Sequence, residues 1–563
     1  LDLADNLLRF NAMAQNYETM SEIRNTVSAI MKVIENRKYK PSGISSLYTT
    51  IKGKKEEIGM KPEDVNIVKR AKKWLKMVYF DNNQQSKHFF DKVSDGLINI
   101  SSLTYIAFNL WGNINNYAVG RINNMIETVG GRYFEPAAMR RATMQFNTHL
   151  PNIIKKLGDP STFAGITGGE GKYKESIPVD KYSAIVEGLR MMDSSSEIRE
   201  AGTTKAKQSR VANVISWGYL VNDGAEYNVQ SKVGMGIVNS TTVRNSQTGD
   251  EMALYDAYQY NNKTGVLTIK EGYDELIMFN EQKTDPNDST KKLGKKLSDP
   301  NTLYDLRNNI REVNKHIHGN YAYADRMVIQ DHFLGKLIAQ FHKWVVPAVN
   351  ARYRPEYYDE NLGWVEGRWM SMASFIAFFL KEVGSVQKTI KRLKYEYGDE
   401  RDENKIKNSL RALAELGAVA TSFLTASILD GLLDDDEDKN ATRKRSENAL
   451  IYQFNRQARE LVFFWPVLGF REQFQMAKSP IAVTRTLGEI GEALVSIAYH
   501  GGGLSYSALN KEYDITKDSS IYYQRGWRKG QPKINKQWMD VIPILYTINR
   551  WYAYDTQKDL FIR

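Results

Sequence analysis

The chain has 563 residues, 42% of them hydrophobic and 25% charged, so it is long enough for roughly two to four domains and too apolar to be a disordered tail. It has no cysteine, which excludes disulfide bonds, thiolate metal sites and cysteine nucleophiles. The net charge of +11 favours anionic neighbours such as DNA or acidic lipid. Because the sequence begins at Leu1 within an apparent helix, we expect a processed product or part of a longer polypeptide.

Apolar residues at helical spacing predict that 1–157 is an N-terminal helical region. Its segment Gly96–Gly120 carries no charge and is long enough to cross a bilayer. Lipid would leave the amides of its asparagines without hydrogen-bond partners, so we expect neighbouring helices or further copies of the chain to supply them. These asparagines are Asn99, Asn109, Asn113, Asn115 and Asn116.

Residues 158–300 are predicted to be loop-rich, with a β-containing insertion around 211–279 and a polar linker at 281–300. Within the insertion, Lys232–Arg244 is rich in valine, isoleucine, threonine and glycine, which favours a strand. The turn Asn261–Gly265 then separates two runs of strand-forming residues, which is typical of a β-hairpin.

Helical periodicity returns in 301–503, the predicted C-terminal helical region, and the chain ends in a basic aromatic segment, 504–563. One apolar stripe passes through Phe341 and Trp344, which we expect to be core residues, and stops at Pro347. The predicted fold class is therefore mainly α, a multi-domain helical assembly with a small β-containing insertion.

Two further stripes follow in this region. One runs from Ile406 to Phe423 in a helix that continues toward Leu433. The other is a heptad that we expect Gly501–Gly503 to end: Val483, Leu487, Ile490, Leu494 and Ile497. Three uncharged stretches, 369–380, 416–429 and 461–470, are too short to span a bilayer. We interpret them as buried helices, with the alternative that they repack against lipid or one another.

No motif predicts catalysis, a metal site or a cofactor. The glycine-rich sequence Gly165–Lys172 has the wrong spacing for a phosphate loop, and tyrosine follows it where serine or threonine is needed. The acidic run Asp434–Asp438 lacks the pattern of a calcium loop and is interpreted as a solvated helix end. The histidine cluster is interpreted as ordinary surface or packing residues: His316, His318, His332 and His342, with Asp325 and Asp331.

The last segment interleaves aromatic and cationic residues, which suits a protein interface, single-stranded nucleic acid or a membrane interface. We favour the protein interface. The candidate interaction residues are Arg525, Trp527, Arg528, Lys529, Trp538 and Trp551.

Three passages of the sequence resemble very large virion proteins of crAss-like tailed bacteriophages, which are podoviruses. The first, Leu103–Phe134, leads from the apolar element AFN into a GGRYF turn. The second, His318–Tyr353, contains the elements LGKL, QFHKW and VVPA. The third is Glu460–Pro480, which begins ELVFFWPVLGF.

The resemblance implies a virion cargo protein, held in the capsid interior or tail lumen and delivered with the genome to the host envelope or cytoplasm. Its implied partners are portal, tail or further cargo proteins, genomic DNA, the host membrane during delivery, and other copies of itself. Two alternatives stay open: a permanent structural tail or portal-associated protein, and an accessory component of a virion-packaged transcription machine.

Overall fold

The computed structural model divides into two units, 1–92 and 93–563. In the first unit it describes residues 29, 32 and 33, so the helices predicted from the first apolar repeats lie outside the described residues. In the second unit the described residues are 110–158, 180–192, 210–279, 284–285, 288–292, 294–319, 345–359, 362–382, 384–397, 399–433, 441–464, 482–525 and 529–536.

Four helices come first in the described part of the second unit. They are α1 (Leu110–Gly130), α2 (Pro136–Gly158), α3 (Lys181–Gly188) and α4 (Arg210–Ser240). Helix α4 is the central one, because every residue from 229 to 241 is buried. It packs against α1, α2 and α3.

The position of α4 corrects the predicted start of the β insertion. Residues 211–240 are helical, including the stretch from Lys232 that was predicted as a strand. A short apolar run that is buried on all sides has no amphipathic period, so its sequence fits a buried strand as well as a buried helix. Burial on every side, and not local propensity, accounts for this difference.

The β structure follows α4. Its elements are β1 (Thr242–Asn245), β2 (Glu251–Ala253), a short helix α5 (Leu254–Ala257), β3 (Tyr258–Asn261), β4 (Val266–Ile269), β5 (Tyr273–Ile277), β6 (Thr284–Asp285), β7 (Asp288–Lys292) and β8 (Lys295–Lys296). The largest sheet has the antiparallel order β2-β1-β5-β8. Three short strands, β6 to β8, thus lie in the stretch predicted as a polar linker.

The predicted hairpin is confirmed. Strands β3 and β4 pair antiparallel, with Asn261 opposite Val266. The Asn261 side chain accepts hydrogen bonds from the backbone N–H groups of Lys263 and Thr264, at 3.0 and 3.3 Å. Gly265 has a φ of +72°, in the left-handed region that glycine occupies at little cost.

The remaining elements are helical apart from one hairpin. They are α6 (Pro300–His318), α7 (Val345–Tyr353), β9 (Tyr357–Asp359), β10 (Gly363–Val365), α8 (Arg368–Lys381), α9 (Val386–Tyr397), α10 (Asp399–Leu433), α11 (Ala441–Val462), α12 (Ala482–Leu509) and a 3₁₀ turn (Ile515–Lys517). Strands β9 and β10 pair antiparallel. The described fold is therefore mainly α with small antiparallel sheets, as predicted.

Two helix ends differ from the prediction. Pro347 does not stop a helix; it lies in the first turn of α7, where its missing N–H would have no helical partner anyway. Helix α12 does not end at Gly501–Gly503 and continues to Leu509. Gly503 packs so closely on the segment that follows the helix that an added Cβ would lie 2.3 Å from Ile521 Cδ1.

The main hydrophobic core draws side chains from three segments that the sequence separates. Phe134 and Phe146 come from 1–157, Met235 from 158–300, and Leu306 from 301–503. A second, smaller core joins α10 to α11, through Ala418 and Val419 on one side and Leu461 and Val462 on the other. The stripe residues Phe341 and Trp344 lie outside the described residues.

Candidate functional site

The most unusual site in the described structure is a buried network of charged side chains on one face of α10. Lys405, Asn408, Arg411 and Glu415 recur at intervals of three and four residues, so they lie along one side of the helix. Each is at most 3% exposed. Charged side chains are seldom buried this deeply unless they are paired, so their partners define the network.

Glu415 is the centre of one half of the network. It accepts hydrogen bonds from Arg352 Nε at 2.8 Å, from Arg368 Nε at 2.7 Å and from Trp369 Nε1 at 3.0 Å. Burial alone would raise the pKa of Glu415, but Arg352 and Arg368 outweigh it and lower the pKa to about 2. The carboxylate is therefore ionised at neutral pH, although it has no contact with solvent.

Glu127 on α1 is the centre of the other half. It forms an ion pair with Arg411, and Arg368 Nη1 lies 4.0 Å from it. Arg411 Nη1 also donates to Asn408 Oδ1 at 2.7 Å. The Arg411 guanidinium lies 5.5 Å from the centre of the Tyr133 ring, within the range of a cation–π contact.

The GGRYF turn fits around this pair. Gly130 leaves room for the stem of Arg411, because a Cβ there would lie 2.3 Å from Arg411 Cγ. Gly131 has a φ of +57°. Arg132 donates to the backbone carbonyl of Trp364, which anchors the turn to the β9–β10 hairpin. Each residue of the motif thus has a structural role.

His316 of the predicted histidine cluster packs beside the same turn. Its ring contacts Tyr133 edge-to-face, with the ring centres 5.7 Å apart. Burial, followed by the nearby charges of Arg411 and Arg132, lowers the pKa of His316 well below its usual value. Burial alone lowers the pKa of His318 to about 3. Both rings are therefore neutral at physiological pH.

The third set of contacts ties α8 to the start of α10. Lys405 Nζ lies 2.7 Å from Glu366 Oε2. The Asn408 amide donates to the Glu366 carbonyl and to Ser371 Oγ, both at 3.1 Å. Every carboxylate of the network has a cationic partner. A carboxylate held in an ion pair is poorly suited to accept a proton as a general base. Within the described part of the chain, no group of three or more metal-ligating acidic or histidine residues comes together.

The described parts of the passages Leu103–Phe134, His318–Tyr353 and Glu460–Pro480 contact one another, and Glu127 of the first and Arg352 of the second belong to this network. Asn115 of the first donates to Glu460 of the third at 2.7 Å. Tyr353 of the second donates to the Phe464 carbonyl of the third at 2.7 Å, and the Arg352 guanidinium lies 4.2 Å from the Phe464 ring centre. Passages more than 300 residues apart in sequence are therefore neighbours in the fold.

The contact of Asn115 also bears on the uncharged segment Gly96–Gly120, whose second half is described. Asn113 and Asn115 are 2% and 0% exposed, whereas Asn116 is exposed. The expectation that a neighbouring helix supplies a hydrogen-bond partner is confirmed for Asn115. Asn99 and Asn109 lie outside the described residues.

The burial of polar residues on α10 leaves part of its predicted apolar stripe exposed, although Phe423 packs against the second core. Leu410 and Leu413, both in the predicted stripe, are 42% and 51% exposed, and Leu424 and Ile428 further along are 62% and 58% exposed. Among the described residues, the helical segment Glu403–Leu429 is long and apolar enough to cross a membrane, yet only 33% of its most apolar window is buried. A core helix of a soluble protein passes the same test of length and composition.

The interpretation of the three uncharged stretches as buried helices is thus only partly correct. Leu461 and Phe464, in the last stretch, are buried. On α8, Ile376 and Leu380 are 45% and 71% exposed. The sequence shows which residues are apolar. On α10, however, the contacts of Arg411 and Glu415 determine which side of the helix packs inward.

The basic aromatic segment is described only in part. Tyr522 and Pro532 form a bridge, and the Tyr523 N–H donates a 3.0 Å hydrogen bond to the Gln531 carbonyl. Arg525 and Lys529 lie between these paired residues in the sequence and are exposed. Trp527, Arg528, Trp538 and Trp551 lie outside the described residues.

Several other sequence candidates also lie outside the described residues: Gly165–Lys172, Asp434–Asp438, His332, His342, Asp325 and Asp331. The signal that sequence reasoning missed is the polar face of α10. Sequence reasoning could have found it as a second helical repeat, because polar residues recur on α10 at intervals of three and four, on the side away from the leucines.

No protein-family model matches this chain, and comparisons with curated proteins and with solved structures gave no significant match.

Proposed function

We propose that this chain is a non-enzymatic cargo protein of a crAss-like tailed phage. In this proposal it is held in the capsid or tail and delivered to the host with the genome. The observation that carries the proposal is that the three resembling passages are joined by contacts in the fold. The described parts of these passages supply contacting residues such as Asn115, Glu460, Tyr353 and Phe464.

The character of the network supports a non-enzymatic role. Its acidic side chains are engaged by arginine or lysine, and the two most deeply buried, Glu127 and Glu415, are each contacted by Arg368. Such pairing fixes helices relative to one another and leaves little freedom for proton transfer. The outward apolar faces of α8 and α10 suit association with other virion proteins.

The absence of cysteine supports delivery. A chain that leaves a particle through a narrow tail has to unfold and refold, and a disulfide bond would oppose this. The charge of +11 is compatible with storage beside DNA. These properties also suit a permanent tail or portal-associated protein, so the two functions have to be separated by experiment.

The experiment compares intact phage particles with particles from which the DNA has been released. Peptides from this chain are quantified by mass spectrometry relative to the major capsid protein, with the portal protein as the internal control for retention. A cargo protein is lost from the emptied particles while the portal protein stays. Retention in the same ratio as the portal protein would instead identify a permanent structural component.

An accessory role in a packaged transcription machine makes a different prediction. Purified protein that hydrolyses ATP or cuts DNA, and loses this activity on Lys172→Ala or on replacement of Asp434 to Asp436, would contradict the non-enzymatic proposal. We expect no turnover from the wild-type chain or from these variants.

A further inference from the structure

Helix α12 carries a heptad repeat along its whole length. Its apolar positions alternate at intervals of four and three residues and continue through a glycine to Leu504. They are Val483, Leu487, Ile490, Leu494, Ile497, Gly501 and Leu504. An average spacing of 3.5 residues keeps one stripe facing a partner helix over many turns, which is the pattern of a coiled coil. The stripe runs from Val483 to Leu504, so it is roughly 32 Å long.

The described part of this stripe faces outward. Leu494, Ile497 and Leu504 are 62%, 39% and 52% exposed. The chain's own contacts lie on one flank of the stripe, where Ala493 is 4% exposed and the His500 ring centre is 6.2 Å from that of Tyr522, and on the adjoining side, where Gly503 packs on Ile515 and Ile521. In the described residues, α12 therefore uses one flank for its own fold and leaves the stripe residues themselves exposed.

The other flank of the stripe permits close approach of another helix. Its residues are Gly491, Ala498 and Ser505, which are small and uncharged. A Cβ built at Gly491 or at Gly501 meets no atom within 4 Å. A second copy of the same helix would thus encounter neither bulk nor like charge along this flank.

We infer that α12 is a self-association helix, through which copies of this chain form a parallel bundle. A second copy is the occupant because the heptad matches itself: each copy presents the same alternating stripe, as a closed symmetric interface requires. Leucine at 487 and 494 occupies one core position and isoleucine at 490 and 497 the other. In parallel coiled coils, this combination favours roughly three or four helices over two.

This inference goes beyond the cargo function and does not depend on it. A permanent structural protein could associate in the same way. The outcome is measured on the purified protein in solution, whereas the cargo function is measured on phage particles. Failure of one is therefore distinguishable from failure of the other.

The test measures the mass of the purified full chain by light scattering and sedimentation over a range of concentrations. We expect wild type to form a complex of roughly three or four copies. The double variant Leu494→Asp with Ile497→Asp is expected to have the mass of a single copy. The matched control is Val495→Asp with Tyr499→Asp, since these residues are 53% and 56% exposed but lie off the stripe. The control should associate like wild type.

A second variant tests the arrangement of the helices. Exchanging the two residue types, with Leu487→Ile, Ile490→Leu, Leu494→Ile and Ile497→Leu, keeps the stripe apolar and places the β-branched residues at the other core position. The complex should then shift toward two copies. Circular dichroism should show the same helix content in all variants, because the described substituted side chains are exposed.

Several results would overturn the inference. Wild type with the mass of one copy at every concentration is one, and equal loss of association in the stripe variant and its off-stripe control is another. Unchanged copy number after the leucine–isoleucine exchange would exclude the parallel heptad arrangement. Binding of a single copy to vesicles of anionic phospholipid, lost only in the stripe variant, would identify lipid and not a second copy as the occupant.

Discussion

At the scale of single residues, the fold depends on charged side chains that are buried away from solvent. Burying a carboxylate is costly unless its hydrogen bonds and its charge are both matched. Glu415 meets this condition through Arg352, Arg368 and the Trp369 indole. Removal of the carboxylate would take away the charge that the buried Arg352 and Arg368 share. Arg368 would keep its 4.0 Å contact with Glu127, which is already paired with Arg411.

We therefore predict that Glu415→Gln lowers the free energy of unfolding by about 3–5 kcal/mol. Urea unfolding followed by circular dichroism measures this change. The matched control is Glu403→Gln on the same helix, because Glu403 is 2.7 Å from Lys407 in an exposed pair. Such a pair contributes less than about 1 kcal/mol. Equal effects of the two substitutions would show that the Glu415 cluster contributes no more than a surface pair.

The same carboxylate predicts a dependence on pH. Its pKa is about 2 in the folded protein against an ordinary value of 4.5. Because the folded value is the lower one, its stabilisation is fully present above the ordinary pKa and is lost as the pH falls toward 2. The wild-type advantage over Glu415→Gln should therefore shrink as the pH is lowered from about 6 to about 3. An advantage that stays constant over this range would contradict the pKa shift.

At the scale of elements, α10 shows how a buried polar face reverses the orientation of an amphipathic helix. Lys405, Asn408, Arg411 and Glu415 are buried, whereas Leu410 and Leu413 of the predicted stripe are exposed. Specific charge pairs hold the helix in place. Its exposed leucines contribute less to the stability of the fold than their number implies. This arrangement leaves an apolar surface for another molecule to cover.

Two adjacent positions on α10 distinguish the observed orientation, with the polar face buried, from the predicted one, with the leucine stripe buried. Ala412 is 0% exposed, whereas Leu413 is 51% exposed. We predict that Ala412→Lys costs more than about 3 kcal/mol of folding free energy and that Leu413→Lys costs less than about 0.5 kcal/mol. The midpoints of urea unfolding give both values. A larger effect at Leu413 would mean that the apolar stripe packs inward after all.

Most of the described helices and the β3–β4 hairpin could be predicted because their signals are local, whereas α4, which is buried on every side in its second half, could not. Asn261–Gly265 is a turn whatever the rest of the chain does. The orientation of α10 could not, because the partner of Arg411 is Glu127, 284 residues away. Nor could the continuation of α12 through Gly501–Gly503, since the contact of Gly503 with Ile521 exists only in the folded chain.

At the scale of the whole molecule, the contacts link regions that the sequence presents as separate. The main core combines Phe134, Met235 and Leu306, and the charge network combines α1, α7, α8 and α10. Loops and linkers mark where the chain changes direction, but they do not show which helices later pack together. The buried charge network could not be located from the sequence, because members such as Glu127 and Arg411 come together only in the fold.

The central claim is that this chain travels with the genome, and a labelling experiment tests it most directly. Phage grown in heavy-isotope medium infect unlabelled host cells, and the washed cells are separated from empty particles before mass spectrometry. We predict that heavy peptides of this chain appear in the host envelope or cytoplasm, while heavy capsid and portal peptides stay with the particles. Heavy peptides of this chain that remain with the empty particles, in the same ratio as the portal protein, would contradict delivery.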